Sequence, residues 1–113
     1  MSDPAKTLGD RVPMWMTLNE AFVHSVLGYA MGVHAPGKAL GAGVFPVIHH
    51  LLLGHGLATQ ALRAAAPGSI QVGIAHNVGL GVPATDSEAD RAAARAMETL
   101  HIDVFHDPIF RGR

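Results

Sequence analysis

The feature that most constrains the fold is a nearly continuous apolar run, Val12 to Leu18, near the start of the 113-residue chain. A strand with one solvated face alternates apolar and polar residues, whereas a strand buried on both faces in a parallel sheet gives an unbroken apolar run of about this length. The run therefore predicts a parallel strand. Asn19 and Glu20 follow it directly, so an amide and a carboxylate stand at the carboxyl end of the predicted strand.

A helix and a second strand follow along the chain. Apolar residues recur every three or four positions from Val47 to Ala66, which is the spacing of an amphipathic helix. Pro67 and Gly68 predict its end, because proline disfavours helical geometry in the preceding residue and glycine accepts the turn that closes a helix. Alternating apolar residues between Ser69 and Asn77 predict the next strand. This order is that of a βαβ unit, and it predicts an α/β fold.

The remaining segments predict shorter elements. Residues Ala21 to Ala30 predict one or two helical turns, and the glycine-rich segment Gly32 to Gly43 predicts a loop. The segment Thr85 to Glu88 has the form of a capping box, in which the two outer side chains satisfy each other's backbone donors, and it predicts the start of a second helix. We expect Asp107-Pro108 to close the last helix.

Composition narrows the class of protein. Hydrophobic residues make up 49% of the chain and charged residues 15%, and the net charge is −1, which favours a core-forming piece without the basic surface that nucleic acid requires. The absence of cysteine excludes a disulfide framework. No signal pattern is evident, and the longest apolar run is far shorter than the roughly 20 residues of a membrane span. We therefore expect a soluble, cytoplasmic protein that binds neither nucleic acid nor membrane.

Several blocks of residues carry a resemblance that extends over almost the whole chain. They are Gly9-Asp10-Arg11-Val12; Trp15-Met16-Thr17-Leu18-Asn19-Glu20; Gly28-Tyr29 with Gly32-Val33-His34-Ala35-Pro36-Gly37; His49-His50-Leu51-Leu52-Leu53-Gly54-His55-Gly56; Val72-Gly73-Ile74 with Asn77; Pro83-Ala84-Thr85-Asp86; and Asp107-Pro108-Ile109-Phe110-Arg111-Gly112. In this order they resemble family 1 glycoside hydrolases, the β-glucosidase family. None of these blocks falls within the first seven residues, and we expect those residues to be a start foreign to the family.

The resemblance implies a partial (β/α)8 TIM barrel, with parallel strands and about two βα units. A complete barrel typically needs about 250 residues, so residues 1–113 are expected to form a single segment, from the fourth strand through the helix after the fifth. In such barrels the chemistry sits at the carboxyl ends of the strands, which is where Asn19 and Glu20 stand.

The resemblance also implies site residues. Cleavage of a glycosidic bond needs a proton for the leaving oxygen, and retaining enzymes add a second carboxylate as nucleophile. By resemblance Glu20 is the general acid/base and Asn19 hydrogen-bonds the sugar 2-hydroxyl. Tyr29 is a candidate sugar-binding residue, whereas Trp15 lies inside the strand and is expected in the core. The family's nucleophile motif of Thr-Glu-Asn-Gly type is absent here, so we expect the isolated chain to be inactive. No cofactor is implied.

Two departures from the family pattern follow the acid/base residue. Ala21 stands where the family normally has proline, and Phe22 stands where tryptophan is common. The loss of proline frees the turn after Glu20, and a misplacement of about 1 Å can cost about 100-fold in rate.

The eight histidines raise the question of a metal site. His49, His50 and His55 lack the i, i+4 pairing with a neighbouring acid that marks a zinc helix, and the other histidines are spread over different segments. We therefore expect structural histidines and no metal.

A competing interpretation is a structural or interaction piece. A two-stranded parallel sheet leaves its edges unpaired, so such a chain is expected to form a homo-oligomer or to pair with a complementary barrel fragment. In this alternative Glu20 has no chemical role. In the first interpretation the substrate is a β-glucoside or a related sugar. A third class, a sugar-binding module, would need several sugar contacts from this segment alone.

Overall fold

The computed structural model describes residues 4–66 and 68–112. The chain divides into two compact units, Met1–His76 and Asn77–Arg113, which we describe separately. The first contains α1 (Pro4–Leu8), β1 (Met14–Asn19), a π-helical segment (Val23–Ala30), a 3-10 turn (Gly41–Val44), α2 (Phe45–Ala65) and β2 (Gln71–Ala75); the second contains α3 (Glu88–Glu98), a π-helical turn (Thr99–Asp103) and α4 (Val104–Phe110).

The first unit is built on a parallel pair of strands connected by helices. β1 pairs with β2 in parallel, with Met14 opposite Gln71 and Met16 opposite Gly73. The strand–helix–strand order predicted from the apolar patterns is confirmed, with boundaries that differ by one or two residues. Helix α2 ends where predicted: Ala66 is extended, as the residue before a proline should be, whereas Pro67 itself lies outside the described residues.

Helix α2 covers one face of the sheet. A hydrogen bond between the Thr17 hydroxyl and the His55 ring joins β1 to this helix, and by alternation Trp15 lies on the same face. Met14 and Met16 lie on the opposite face, and each is 55% exposed. The prediction of a strand buried on both faces is therefore wrong for this chain, because within the described residues only one face has a covering layer. We call the other, which carries Met14 and Met16, the open face.

The core of the first unit lies beside the sheet rather than on its open face. Its most buried apolar side chains come from α1, from the amino-terminal part of α2 and from the segments between β1 and α2; they are Ala5, Ala21, Val26, Val44 and Ile48. The π-helical segment, the 3-10 turn and α2 pack against one another. Two of these buried side chains, Ala21 and Val26, follow Glu20 closely along the chain, so the turn after Glu20 is fixed by packing.

In the second unit, helix α3 begins at a different cap from the one predicted. The Ser87 hydroxyl accepts a hydrogen bond from the Asp90 amide at 3.1 Å, whereas the Thr85 hydroxyl donates to the Asp90 carboxylate at 2.5 Å. The predicted pairing of Thr85 with Glu88 is therefore wrong. Serine is as good a cap as threonine, and here it lies two residues closer to the alanine-rich stretch.

Helix α4 continues through Pro108 to Phe110, so the prediction that Asp107-Pro108 closes the last helix is also wrong. Proline lacks the N–H that would bond four residues back, yet Arg111 still donates its amide to the carbonyl of Asp107 at 2.8 Å. The helix ends after that bond, at Gly112, which has a φ of 68°.

The continuous helical stretch Gly41–Ala65 is long and apolar enough to cross a membrane on length and composition alone. Histidine and glycine residues interrupt the stretch, so it contains no long unbroken apolar run. Core helices of soluble proteins and signal sequences share this length and composition. One side of this helix is in contact with the sheet through His55.

Candidate active site

The candidate site begins at an irregularity in β1. Met16 pairs with Gly73 and Asn19 pairs with Ala75, so three steps along β1 match two along β2. This is a β-bulge, which inserts one extra residue, bends the strand and re-aims the side chains that follow. Because of the bulge, Asn19 lies on the same face as Met14 and Met16 instead of the helix-covered face.

Glu20 continues β1 by one more hydrogen bond and then breaks its geometry. Its amide donates to the carbonyl of Ala75 at 2.7 Å, and its φ is +50°. Only a few per cent of non-glycine residues adopt positive φ, and such strain is concentrated at functional sites. The left-handed conformation ends the alternation of side chains at Glu20, so the Glu20 side chain is no longer tied to the face opposite Asn19. Glu20 is half-buried and Asn19 is exposed.

The turn after Glu20 is helical and well anchored. The Glu20 carbonyl accepts from the His24 amide at 3.1 Å, so Ala21 is the first helical residue, a position at which proline is also favoured. Ala21 is 1% exposed, and the buried Ser25 hydroxyl donates to its carbonyl at 2.7 Å. Phe22 is half-buried. Burial and this side-chain bond therefore hold the turn in the absence of the proline.

Tyr29 lies in a cleft between the π-helical segment and α2. The cleft has a volume of about 390 Å³ and is lined by His24, Tyr29, Pro46, Val47, His50 and Leu51. The Tyr29 ring meets the His24 ring edge to face, with 5.5 Å between centroids, and His50 Nδ1 lies 2.6 Å from the Pro46 carbonyl. Within the described residues, neither Asn19 nor Glu20 belongs to this lining. Tyr29 therefore borders a cleft separate from the Asn19–Glu20 pair.

Gly28, next to Tyr29, is required by a close approach of the chain. A Cβ at this position would lie 2.6 Å from the Ala35 carbonyl oxygen, a distance that no side chain tolerates. The Gly28 carbonyl accepts from the Lys38 amide and the Tyr29 carbonyl from the Leu40 amide, at 3.0 and 2.9 Å. The Gly28-Tyr29 pair thus seats the following loop against the π-helical segment.

The other carboxylate described in the first unit is Asp10. It lies before β1, beside Val12, Pro13, Gly68 and Ser69 at the amino ends of the two strands. The Arg11 guanidinium bonds to it at 2.9 Å, and this hydrogen bond holds the pKa of the Asp10 carboxyl below its ordinary value. A six-residue strand is about 20 Å long, so Asp10 and Glu20 lie at opposite ends of the sheet.

The sequence matches Glycosyl hydrolase family 1 over residues 5–113. The chain belongs to this family. It is 38% identical to the Beta-glucosidase of Agrobacterium sp. over 93% of this chain and 23% of that protein. It is 40% identical to the Beta-glucosidase A of Acetivibrio thermocellus over 96% of this chain and 24% of that protein. The chain thus spans about a quarter of the length of these curated relatives.

Solved family 1 structures show the same fold. The β-glucosidase from Thermotoga maritima in complex with deoxynojirimycin superposes with a TM-score of 0.91 at 36% identity, over 97% of this chain and 25% of that one. The psychrophilic β-glucosidase BglU from Micrococcus antarcticus gives a TM-score of 0.87 at 40% identity, over 94% of this chain and 22% of that one. The predicted partial α/β barrel is confirmed.

The Asn19–Glu20 pair stays the predicted site of this family 1 segment. The bulge, the positive φ of Glu20 and the bond between Thr17 and His55 were not predicted. One signal was present: Thr17 is a polar residue inside an apolar run, and such a residue needs a hydrogen-bond partner when it is covered by a helix.

Proposed function

We propose that this chain supplies the acid/base segment of a retaining β-glycosidase that hydrolyses β-glucosides or related sugars. The observation that carries the proposal is the arrangement at the carboxyl end of β1, where a bulge and a left-handed residue orient an adjacent amide and carboxylate. Family membership supports it, since relatives over this segment are named as β-glucosidases.

Glu20 is the proposed general acid and base. Its carboxylic acid gives a proton to the glycosidic oxygen as the bond to the anomeric carbon breaks, and a second carboxylate bonds to that carbon. Glu20, now ionised, takes a proton from the water that releases the sugar. The backbone amide of Glu20 donates a hydrogen bond to the Ala75 carbonyl, and the turn that follows Glu20 is buried. Both contacts hold the carboxyl group in a fixed position, which this chemistry requires.

Asn19 and Tyr29 are the proposed sugar contacts. Asn19 is exposed and follows the bulge on the open face, and in a complete barrel the face opposite the helices is the inner one. Its amide can hydrogen-bond a sugar hydroxyl next to the carbon that reacts at Glu20. Tyr29 would contact the sugar from the neighbouring cleft, where its ring packs against the His24 ring.

We propose further that the 113-residue chain is inactive alone and becomes active with complementary barrel segments. A retaining mechanism needs a second carboxylate about 5 to 5.5 Å from the first. In the described part of the first unit, the other carboxylate is Asp10 at the far end of the sheet. The quarter-length coverage of the relatives supports the same conclusion.

The test is hydrolysis of nitrophenyl β-glucoside and cellobiose by the chain alone and by the chain mixed with the remaining segments of a family 1 relative. We expect no turnover alone and turnover in the mixture. In the mixture Glu20→Gln should lower kcat/KM by about 100- to 10,000-fold, more for cellobiose, whose leaving group needs the proton most. Asp10→Asn is the matched control, because it neutralises a carboxylate at the opposite end of the same strand.

Two outcomes would overturn parts of this proposal. If the mixtures that contain Glu20→Gln and Asp10→Asn were equally active, Glu20 would not be the general acid and base. Hydrolysis by the chain alone that disappears in Glu20→Gln would show that the chain already provides a second carboxylate.

The exposure of Met14 and Met16 favours a second candidate, a non-catalytic oligomerising piece. Each is 55% exposed on a two-stranded sheet, and an uncovered apolar face attracts another chain. Sedimentation of the wild-type chain, Met16→Lys and Leu57→Lys would test it, since Leu57 is similarly exposed on α2. Dissociation caused by Met16→Lys alone would support it, and a monomeric wild type would exclude it.

A further inference from the structure

A short chain of hydrogen bonds crosses from α2 to both strands beside the bulge. His55 Nδ1 lies 2.6 Å from Thr17 Oγ1, and Thr17 Oγ1 lies 3.3 Å from the Gly73 carbonyl oxygen. All three groups are in the first unit, and Thr17 and His55 are half-buried. No other described hydrogen bond joins a side chain of α2 to the sheet. We call these three groups the latch.

The direction of the protons in the latch follows from its geometry. A carbonyl oxygen only accepts, so the Thr17 hydroxyl proton points to Gly73. His55 must then donate its Nδ1–H to the Thr17 oxygen. Burial lowers the pKa of the His55 ring, and this favours the neutral form. The latch therefore satisfies the Thr17 hydroxyl as donor and as acceptor.

The latch lies where the hydrogen-bond ladder between the two strands is interrupted. Thr17 lies within the bulge, between the paired residues Met16 and Asn19, where regular ladder bonds are interrupted. Gly73 is the last residue of β2 in regular register before the bulge. A hydroxyl that bonds to its carbonyl replaces part of the missing ladder, and His55 fixes the direction of that hydroxyl.

We propose that His55, acting through Thr17, is a positioning residue for the Asn19–Glu20 pair. The latch fixes where β1 gains its extra residue, and this register decides that Asn19 lies on the open face and that Glu20 bonds to Ala75. Without the extra residue, Asn19 would lie on the helix-covered face. The catalytic significance of this positioning rests on the proposed function, whereas the positioning itself does not.

The experiment compares amide hydrogen exchange at two ends of the same sheet in the full chain. The Glu20 amide, bonded to Ala75 at 2.7 Å, reports the latched end, and the Gln71 amide, bonded to Pro13 at 2.8 Å, reports the other end. Thr17→Val keeps the side-chain shape and removes the hydroxyl, whereas Thr17→Ser keeps the hydroxyl. His55→Phe keeps a ring and removes the donor.

We expect Thr17→Val to speed exchange at Glu20 relative to Gln71 by about five- to tenfold, the equivalent of one net hydrogen bond. Thr17→Ser should keep the wild-type ratio and His55→Phe should fall between them. Equal acceleration at both amides in Thr17→Val and His55→Phe would mean global destabilisation and would overturn the proposal, as would an unchanged ratio. Failure of the Glu20→Gln activity test leaves the exchange ratio intact, so the two proposals fail separately.

Discussion

The two halves of β1 follow different rules. From Met14 to Met16 the strand pairs residue for residue with β2, its side chains alternate between the two faces, and no described residue of this half has positive φ. From Thr17 to Glu20 the strand has a bulge, and the Thr17 hydroxyl bonds to β2 where ladder bonds are interrupted. It ends at Glu20, whose backbone is left-handed. The first half therefore holds the sheet together, and the second gives up regularity to orient polar groups.

The regular half of β1 contributes stability, and the irregular half carries the candidate site. Regular pairing forms the hydrogen bonds of the ladder between the two strands without strain, but it would place Asn19 on the helix-covered face and leave the end of the strand without special geometry. The irregular half costs backbone strain, and the buried turn after Glu20 compensates for it. Such strain at a polar strand end is the pattern expected of a site.

The largest expected effect comes from breaking the regular half. Gln71→Pro removes the amide that bonds to Pro13 and forces φ away from strand values, so we expect a loss of about 2 to 4 kcal/mol in unfolding free energy. Gln71→Ala keeps the amide at this exposed position and should change stability by less than about 0.5 kcal/mol. Urea unfolding measures both. Equal midpoints for the two variants would show that this half does not hold the sheet.

A smaller effect of opposite sign is expected in the irregular half. Glu20→Gly relieves a positive φ, so we expect a net gain of about 1 kcal/mol after the added entropy of the unfolded chain. The converse control is Gly73→Ala in the regular half, where the new Cβ would meet the flexible Met16 sulfur at 3.3 Å and stability should stay within about 0.5 kcal/mol. Urea unfolding measures both changes, from the shift of the midpoint when the slope of unfolding free energy against urea concentration stays constant. A destabilised Glu20→Gly would mean that the Glu20 side chain contributes more than its backbone costs.

The same division explains what the sequence could predict. The regular half and α2 follow from periodic apolar patterns, because each residue there contributes to one face. The Asn19–Glu20 pair could be predicted only from the surrounding blocks of the family resemblance, because a lone Asn-Glu pair is weak evidence, and its role stays a prediction. The bulge could not, since it depends on pairing with β2 more than fifty residues away, and no local pattern in the chain encodes that register.

The errors in prediction have equally local causes. A continuous apolar run predicts burial of Met14 and Met16, because it is typical of a strand covered on both faces. It does not show whether both faces of the strand are covered in this chain. Thr85 and Ser87 are both good caps two residues apart, and only the folded turn decides between them. Pro108 was expected to end a helix, yet α4 continues for one more bond beyond it.

The smallest expected effect is a pH dependence confined to the irregular half. Burial lowers the pKa of His55 in the folded chain, whereas in the unfolded chain it should titrate near 6.5. Above that pH both states are neutral, and proton uptake does not oppose folding. As the pH falls below it, the unfolded chain takes up the proton first, so stability is lost down to the folded pKa. Urea midpoints at pH 7.5, 6.5 and 5.5 should therefore fall more steeply for the wild type than for His55→Gln, which keeps a donor for Thr17 but does not titrate. All other histidines are common to both proteins, so a difference between the two midpoints that stays constant across this range would show that His55 carries no such linkage.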